Sequence, residues 1–153
     1  MDAEVQEFIA LLDGVKSGVR DFVREIGDEG IIWSPDVPDT NSVAVLVTHM
    51  FGSETEVTQE FVGGITVSRD RESEFASPLP TVRELVDLID RVGARTRDVL
   101  SKETGTTLGR QVRTREPGEM KTARSSLIGV LMHEAEHVGH MRLTVQLRRA
   151  QGA

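Results

Sequence analysis

The stretch "HEAEHVGH", residues 133–140, holds the side chains of this chain best suited to chemistry. His133 and His137 are four apart, so on a helix they share a face and can bind one cation between them. Glu134 completes H-E-x-x-H, the helical pattern in which two imidazoles bind zinc and the carboxylate serves as general base. His140 comes nearly one turn after His137 on the same side, where it could carry a proton or wall a pocket. The chain has no cysteine, which excludes thiolate ligands, disulfides and a protein-borne thiol nucleophile. The one remaining imidazole is His49.

The spelling alone suggests a metallopeptidase, but the surroundings argue against it. Such a site needs a third protein ligand, and residues 138–153 contain no Asp or Glu. The extended form H-E-x-x-H-x-x-G-x-x-H also fails, because His140 and Leu143 occupy its glycine and last histidine positions. A peptidase would further want an edge strand to hold its substrate, and none is evident. The metal reading survives with a different third ligand, supplied by another helix.

Four segments carry helical periodicity. In the first, from about Asp2 to Ile26, Val5, Phe8, Leu12, Val15, Val19, Phe22 and Ile26 form one apolar stripe, and Gly27 suits its end. The stretch "GIIWSPDVPDTNS" reads as loop, and Trp33 within it is a candidate contact or pocket-lid residue. Thr40, Asn41 and Ser42 offer an N-cap for a second helix over about 42–62, ended by Gly63-Gly64. Residues 65–80 form a link long enough to cross the end of a bundle. "TVRE" then opens the third helix with a capping box of Thr81 and Glu84. After a polar link over 104–121, the fourth helix runs from about Thr122 to Arg149. "LGRQVRTRE" could hold a short extended piece, but no convincing strand pair is visible. The expectation is one all-α domain over 1–153, an antiparallel four-helix bundle with a long connection between its second and third helices.

The net charge of −7, from 25 acidic and 18 basic residues, argues against nucleic-acid or anionic-membrane partners, which need clustered positive charge. No apolar run approaches the roughly 20 residues that span a bilayer. The first residues carry acids where a signal peptide carries bases. A soluble cytoplasmic protein with a small-molecule partner is expected.

On such a bundle, His49 falls at the border of its helix's apolar stripe. His133 and His137 fall beside the stripe of Leu127, Leu131, Val138, Met141 and Val145. Flanking positions on neighbouring helices can converge on one point. Three neutral imidazoles with an open fourth position make a catalytic type of zinc or nickel site. Glu134 falls at the centre of its stripe, where a carboxylate is costly unless paired. It reads equally as a buried structural partner or as a base beside the ion.

The pair formed by His49 in "VAVLVTHMFGSETEV" and the later H-x-x-x-H-x-G-[QH], here "HEAEHVGH", resembles the DinB/YfiT-like superfamily of metal-binding bundles. The resemblance covers nearly the whole chain, and "RDRESEF" at 69–75 also resembles the link of actinobacterial members. It implies a divalent ion, zinc or nickel, held by His49, His133 and His137. It also implies a low-molecular-weight thiol such as mycothiol or bacillithiol as co-substrate, and a homodimer. Gly139-His140 resembles the mycothiol-associated branch, although Arg142 stands where that branch often has aspartate. Two functions follow. One is an enzyme, an S-transferase or hydrolase, in which the metal activates a thiol or water toward a small electrophile while Glu134 or His140 handles protons. The other is a non-catalytic, stress-associated metal-binding bundle.

Overall fold

The computed structural model describes residues 1–76 and 78–152. Five α-helices account for most of them: α1 (Ala3–Ile32), α2 (Val43–Thr55), α3 (Arg71–Ala76), α4 (Val82–Leu100) and α5 (Ala123–Ala150). The long helices begin on polar caps. Asp2 Oδ1 accepts from the Glu4 amide at 3.0 Å, and Ser42 Oγ from the Val45 amide at 3.3 Å. Thr81 Oγ1 accepts from the Glu84 amide at 3.2 Å and donates to the Glu84 carboxylate at 2.6 Å, so the expected Thr81–Glu84 pair caps the helix, with the carboxylate on the hydroxyl rather than on the Thr81 amide.

Three local features differ from expectation. At Gly27 the backbone turns to φ 69°, as the predicted stop requires, but the chain resumes helical turns to Ile32. Ile31 is fully buried in the core, and that burial carries the helix past the glycine. The second helix widens into a π-helical turn over Glu56–Val62 before Gly63. A short hairpin does exist: β1 (Gln111–Arg113) pairs antiparallel with β2 (Met120–Thr122). Strands of three residues are too short for alternation to reveal them.

The bundle consists of α1, α2, α4 and α5, and its core lies in two apolar clusters. One joins the later part of α1 (Val19, Val23, Ile31), the start of α2, the start of α4 (Leu85, Ile89) and the later part of α5 (Met141, Val145). The other joins the start of α1 (Val5, Phe8, Leu12), the π turn, the end of α4 (Val99, Leu100) and the start of α5 (Leu127, Val130). So α1 and α5 run one way while α2 and α4 run the other. The long link between α2 and α4 lets α4 begin at the same end as α2. α2 is buried nearly all round, rather than along the single stripe its sequence suggests, because α1, α3, α4 and α5 all pack on it.

Between the two clusters lies a polar layer with one residue from each bundle helix. Lys16 Nζ is 2.6 Å from Glu54 Oε1, both groups essentially inaccessible. Thr96 donates to the same oxygen at 2.6 Å. Glu134 is fully buried. Its carboxyl is pushed up to about 10, first by burial and then by the charge of Glu54. It is therefore protonated at neutral pH, and its O–H can donate to Glu54 Oε2; neither that oxygen nor the two Glu134 oxygens has any other partner. One cation, one anion and one neutral acid leave the layer uncharged.

Candidate metal centre

His49 lies on α2, and His133 and His137 lie one turn apart on α5. α2 packs against α5, so the border position of His49 comes opposite the i, i+4 pair. The three rings meet. His49 is centred 5.2 Å from each of the others, and His133 and His137 are 4.4 Å apart edge to face. One ligand atom from each of the three lies within 4.8 Å of the others. The Nε2 atoms of His133 and His137 are 3.0 Å apart. Two neutral ring nitrogens that close need a shared proton or a shared cation between them. Nitrogens bound at about 2.0–2.1 Å in a tetrahedral zinc site stand roughly this far apart.

The electrostatics favour the metal-competent form of each ring. Burial lowers the His49 imidazole from its ordinary value, against the opposing pull of Glu74. Burial also drives His133 down to about 4, helped by repulsion from His137 and His49. His137 is lowered by burial, then by His49 and His140. All three are neutral at pH 7, and a divalent ion needs neutral imidazoles.

Around the rings, α3 supplies two contacts that sequence reasoning missed. Glu74 Oε2 is 3.0 Å from His49 Nδ1, and the Phe75 ring centre is 4.9 Å from that of His49. Their only signal in the sequence is "RDRESEF", which carries an acid and an aromatic within a polar link. Of the two residues proposed to handle protons, His140 is exposed with its ring 5.6 Å from His137. Glu134 points instead into the polar layer of the core and is not part of the three-histidine group. Trp33, at the end of α1, is half-buried.

A cleft opens on each side of the group. One, of about 290 Å³, lies beneath the hairpin and is bounded by His133, Ser53, Arg115 and Phe61. The other, of about 260 Å³, is bounded by His137, His140, Asn41 and Leu143. A separate groove of about 420 Å³ between α1 and α5 contains none of the histidines.

The pattern of the DinB superfamily matches residues 5–141. The chain belongs to the DinB superfamily. Solved structures of other DinB-like proteins have the same fold. One from Bacillus subtilis superposes with a TM-score of 0.69 at 18% identity, covering 96% of this chain and 92% of that one. One from Bacillus cereus ATCC 10987 gives 0.71 at 14% identity, covering 94% and 89%. No curated protein matches the sequence. For this DinB-superfamily chain the likeness to solved structures speaks for the bundle, while the site is read from its own residues. Three of its histidines form a group that could hold a metal ion. No helix among the described residues is long and apolar enough to cross a membrane.

Proposed function

We propose that His49, His133 and His137 hold one divalent ion, zinc or nickel, and that the protein is an enzyme acting on a small electrophile with a low-molecular-weight thiol or water. The convergence of three neutral-leaning imidazoles, with no carboxylate in the group among the described residues, carries this reading. Three nitrogen ligands leave a coordination position for a small ligand. The clefts beside His133 and beside His137 supply the room for one.

When bound, such an ion holds a thiol as thiolate, or lowers the pKa of water, at neutral pH. The chain's own residues do the rest. His140 stands exposed at the mouth of the cleft that His137 bounds, where it can take up or return a proton. Glu134 is fully buried in the polar layer, so proton handling falls to His140 and Glu134 takes its structural role. Leu143 and Leu147 give the His140 cleft an apolar wall, suited to a small uncharged electrophile.

The test is elemental analysis of purified wild-type protein against His137→Ala, then a screen of thiols with a chloronitrobenzene. About one ion per wild-type chain, lost in the variant, with thiol-dependent turnover is the expected result. Equal metal content in the two proteins would remove the site. Metal without turnover of any thiol or of water would instead make the ion a staple between α2 and α5.

A further inference from the structure

The three histidines are not held alike. The Nδ1 atom of His137 is buried with no partner. No carboxylate lies within hydrogen-bond or ion-pair distance of His133 or His137 among the described residues, whereas His49 Nδ1 meets Glu74 Oε2 at 3.0 Å. Glu74 is itself gripped by a guanidinium fork. Arg69 Nε donates to Oε1 at 2.7 Å, and Nη2 donates to Oε2 at 2.8 Å. Arg69 Nη1 continues to Glu56 Oε2 at 3.0 Å. Glu56 also accepts from Arg115, which donates to Ser53 Oγ at 2.7 Å. Charges thus alternate from the hairpin loop to His49, and the Arg69 and Glu74 side chains are each only 8% exposed.

We infer that Glu74 is a positioning residue of the metal centre: it fixes the proton of His49 on Nδ1 and thereby turns the Nε2 lone pair toward His133 and His137. This rests on the metal reading above. An ionised carboxylate only accepts, so the atom facing it must carry the hydrogen. The other neighbour of Nδ1 is Arg69 Nη2, a donor at 3.4 Å. That contact is longer than the 3.0 Å from Nδ1 to Glu74 Oε2, so the carboxylate is the nearer and stronger partner of Nδ1. A histidine that ligates through one nitrogen is commonly oriented by a carboxylate on the other.

The backbone of α2 is shaped to admit this carboxylate. Gly52 lies one turn past His49, and a Cβ there would fall 2.1 Å from Glu74 Oε1 and 2.9 Å from its carboxyl carbon. Any other residue at 52 must push Glu74 aside. Phe75, next in α3, lays its ring against the His49 imidazole and limits its rotation. The crossover link is therefore part of the site as well as a connector. Its six-residue helix delivers both groups that orient His49.

Two measurements on the full chain test this. In the metal-free protein, ¹⁵N-edited NMR of the imidazoles reports the tautomer directly. The expected result is Nδ1–H for His49 in wild type and a shift toward Nε2–H in Glu74→Ala and Gly52→Ala. In the metal-loaded protein, competition against a chelator reports affinity. Glu74→Ala and Gly52→Ala should weaken binding about 10–100-fold. Glu74→Gln, which keeps an acceptor and loses the charge, should fall between them and wild type. If Ala at 74 prevents folding, Glu74→Gln alone carries both measurements. Nδ1 found unprotonated in wild-type His49 overturns the inference, as does a Glu74 variant that is folded and binds the ion within twofold of wild type. A role limited to holding α3 would lower the melting temperature and move neither readout. Failure of the wild type to bind any divalent ion would sink the metal reading, while the tautomer would still decide the role of Glu74 at His49.

Discussion

Two groups of polar side chains lie close together in this bundle, one closed off from solvent and one half-open to it, and they are built on opposite plans. The layer of Lys16, Glu54, Thr96 and Glu134 draws on all four bundle helices and balances its own charge. The histidine group draws on two helices, and in it the Nε2 atoms of His133 and His137 stand 3.0 Å apart. Glu134 belongs to the first and His133 to the second, although they are neighbours in the chain. Adjacent residues of a helix point about 100° apart, so α5 can serve a closed network on one side and an open one on the other. A closed network specifies how helices pack, while an open one specifies what may bind.

Breaking the closed layer should have the largest effect. Lys16→Met strands the Glu54 carboxylate in the core, and removal of one partner from a buried pair costs roughly 3–5 kcal/mol. Urea denaturation should show a loss of that order, partly recovered by adding Glu54→Gln. A loss below about 1 kcal/mol would mean the layer does not hold the helices together.

Breaking the open group should act on ligand binding instead. At an ion concentration of 100 Kd the wild type should gain about 2.7 kcal/mol of stability, and His133→Ala should gain almost none. Without metal, the two should melt within a few degrees of each other. A collapse of metal-free His133→Ala comparable to that of Lys16→Met would erase the distinction between the two groups.

Acid sharpens the comparison further. The His133 imidazole sits at about 4 in the folded protein against an ordinary 6.5. Between those values the unfolded chain binds more protons, so metal-free stability should fall as pH drops from 6.5 toward 4. Bound ion competes for the same nitrogens. Melting curves across this range should therefore show metal protecting against acid, with the protection fading near the bottom of the window.

A further effect, on pH dependence alone, is expected at Glu134→Gln. The carboxyl titrates near 10 when folded and near 4.5 when unfolded. The folded state then holds the extra proton, and stability contributed by this group declines as pH rises through that window. The amide keeps a donor for Glu54 and cannot ionise. The variant's melting temperature should vary less between pH 6 and pH 9 than the wild type's. Equal slopes would place a charged Glu134 in the core.

Much of this arrangement is legible in the residues themselves. The i, i+4 spacing of His133 and His137, the Thr81–Glu84 capping pair and the apolar stripes of α1, α4 and α5 are local patterns. His49 could be nominated because no other imidazole was available. Lys16 escaped notice because a lysine within an apolar stripe reads as a solvated flank. Its burial depends on Glu54, contributed by α2. Glu74 was hidden for a similar reason. It sits in a charged link where acids ordinarily face water, and only the crossing of that link over α2 brings it to His49. The hairpin was missed because its strands are too short to show alternation.

The chain on its own determined where helices start, which faces are apolar and which imidazoles share a turn, since those depend on neighbours a few residues away. Only the folded bundle decided which charges left water and what met them there. The free energy of a buried charge is set by groups brought from distant parts of the sequence, and for that reason Lys16, Glu74 and Glu134 acquired their roles from the packing of α1, α2, α3 and α5.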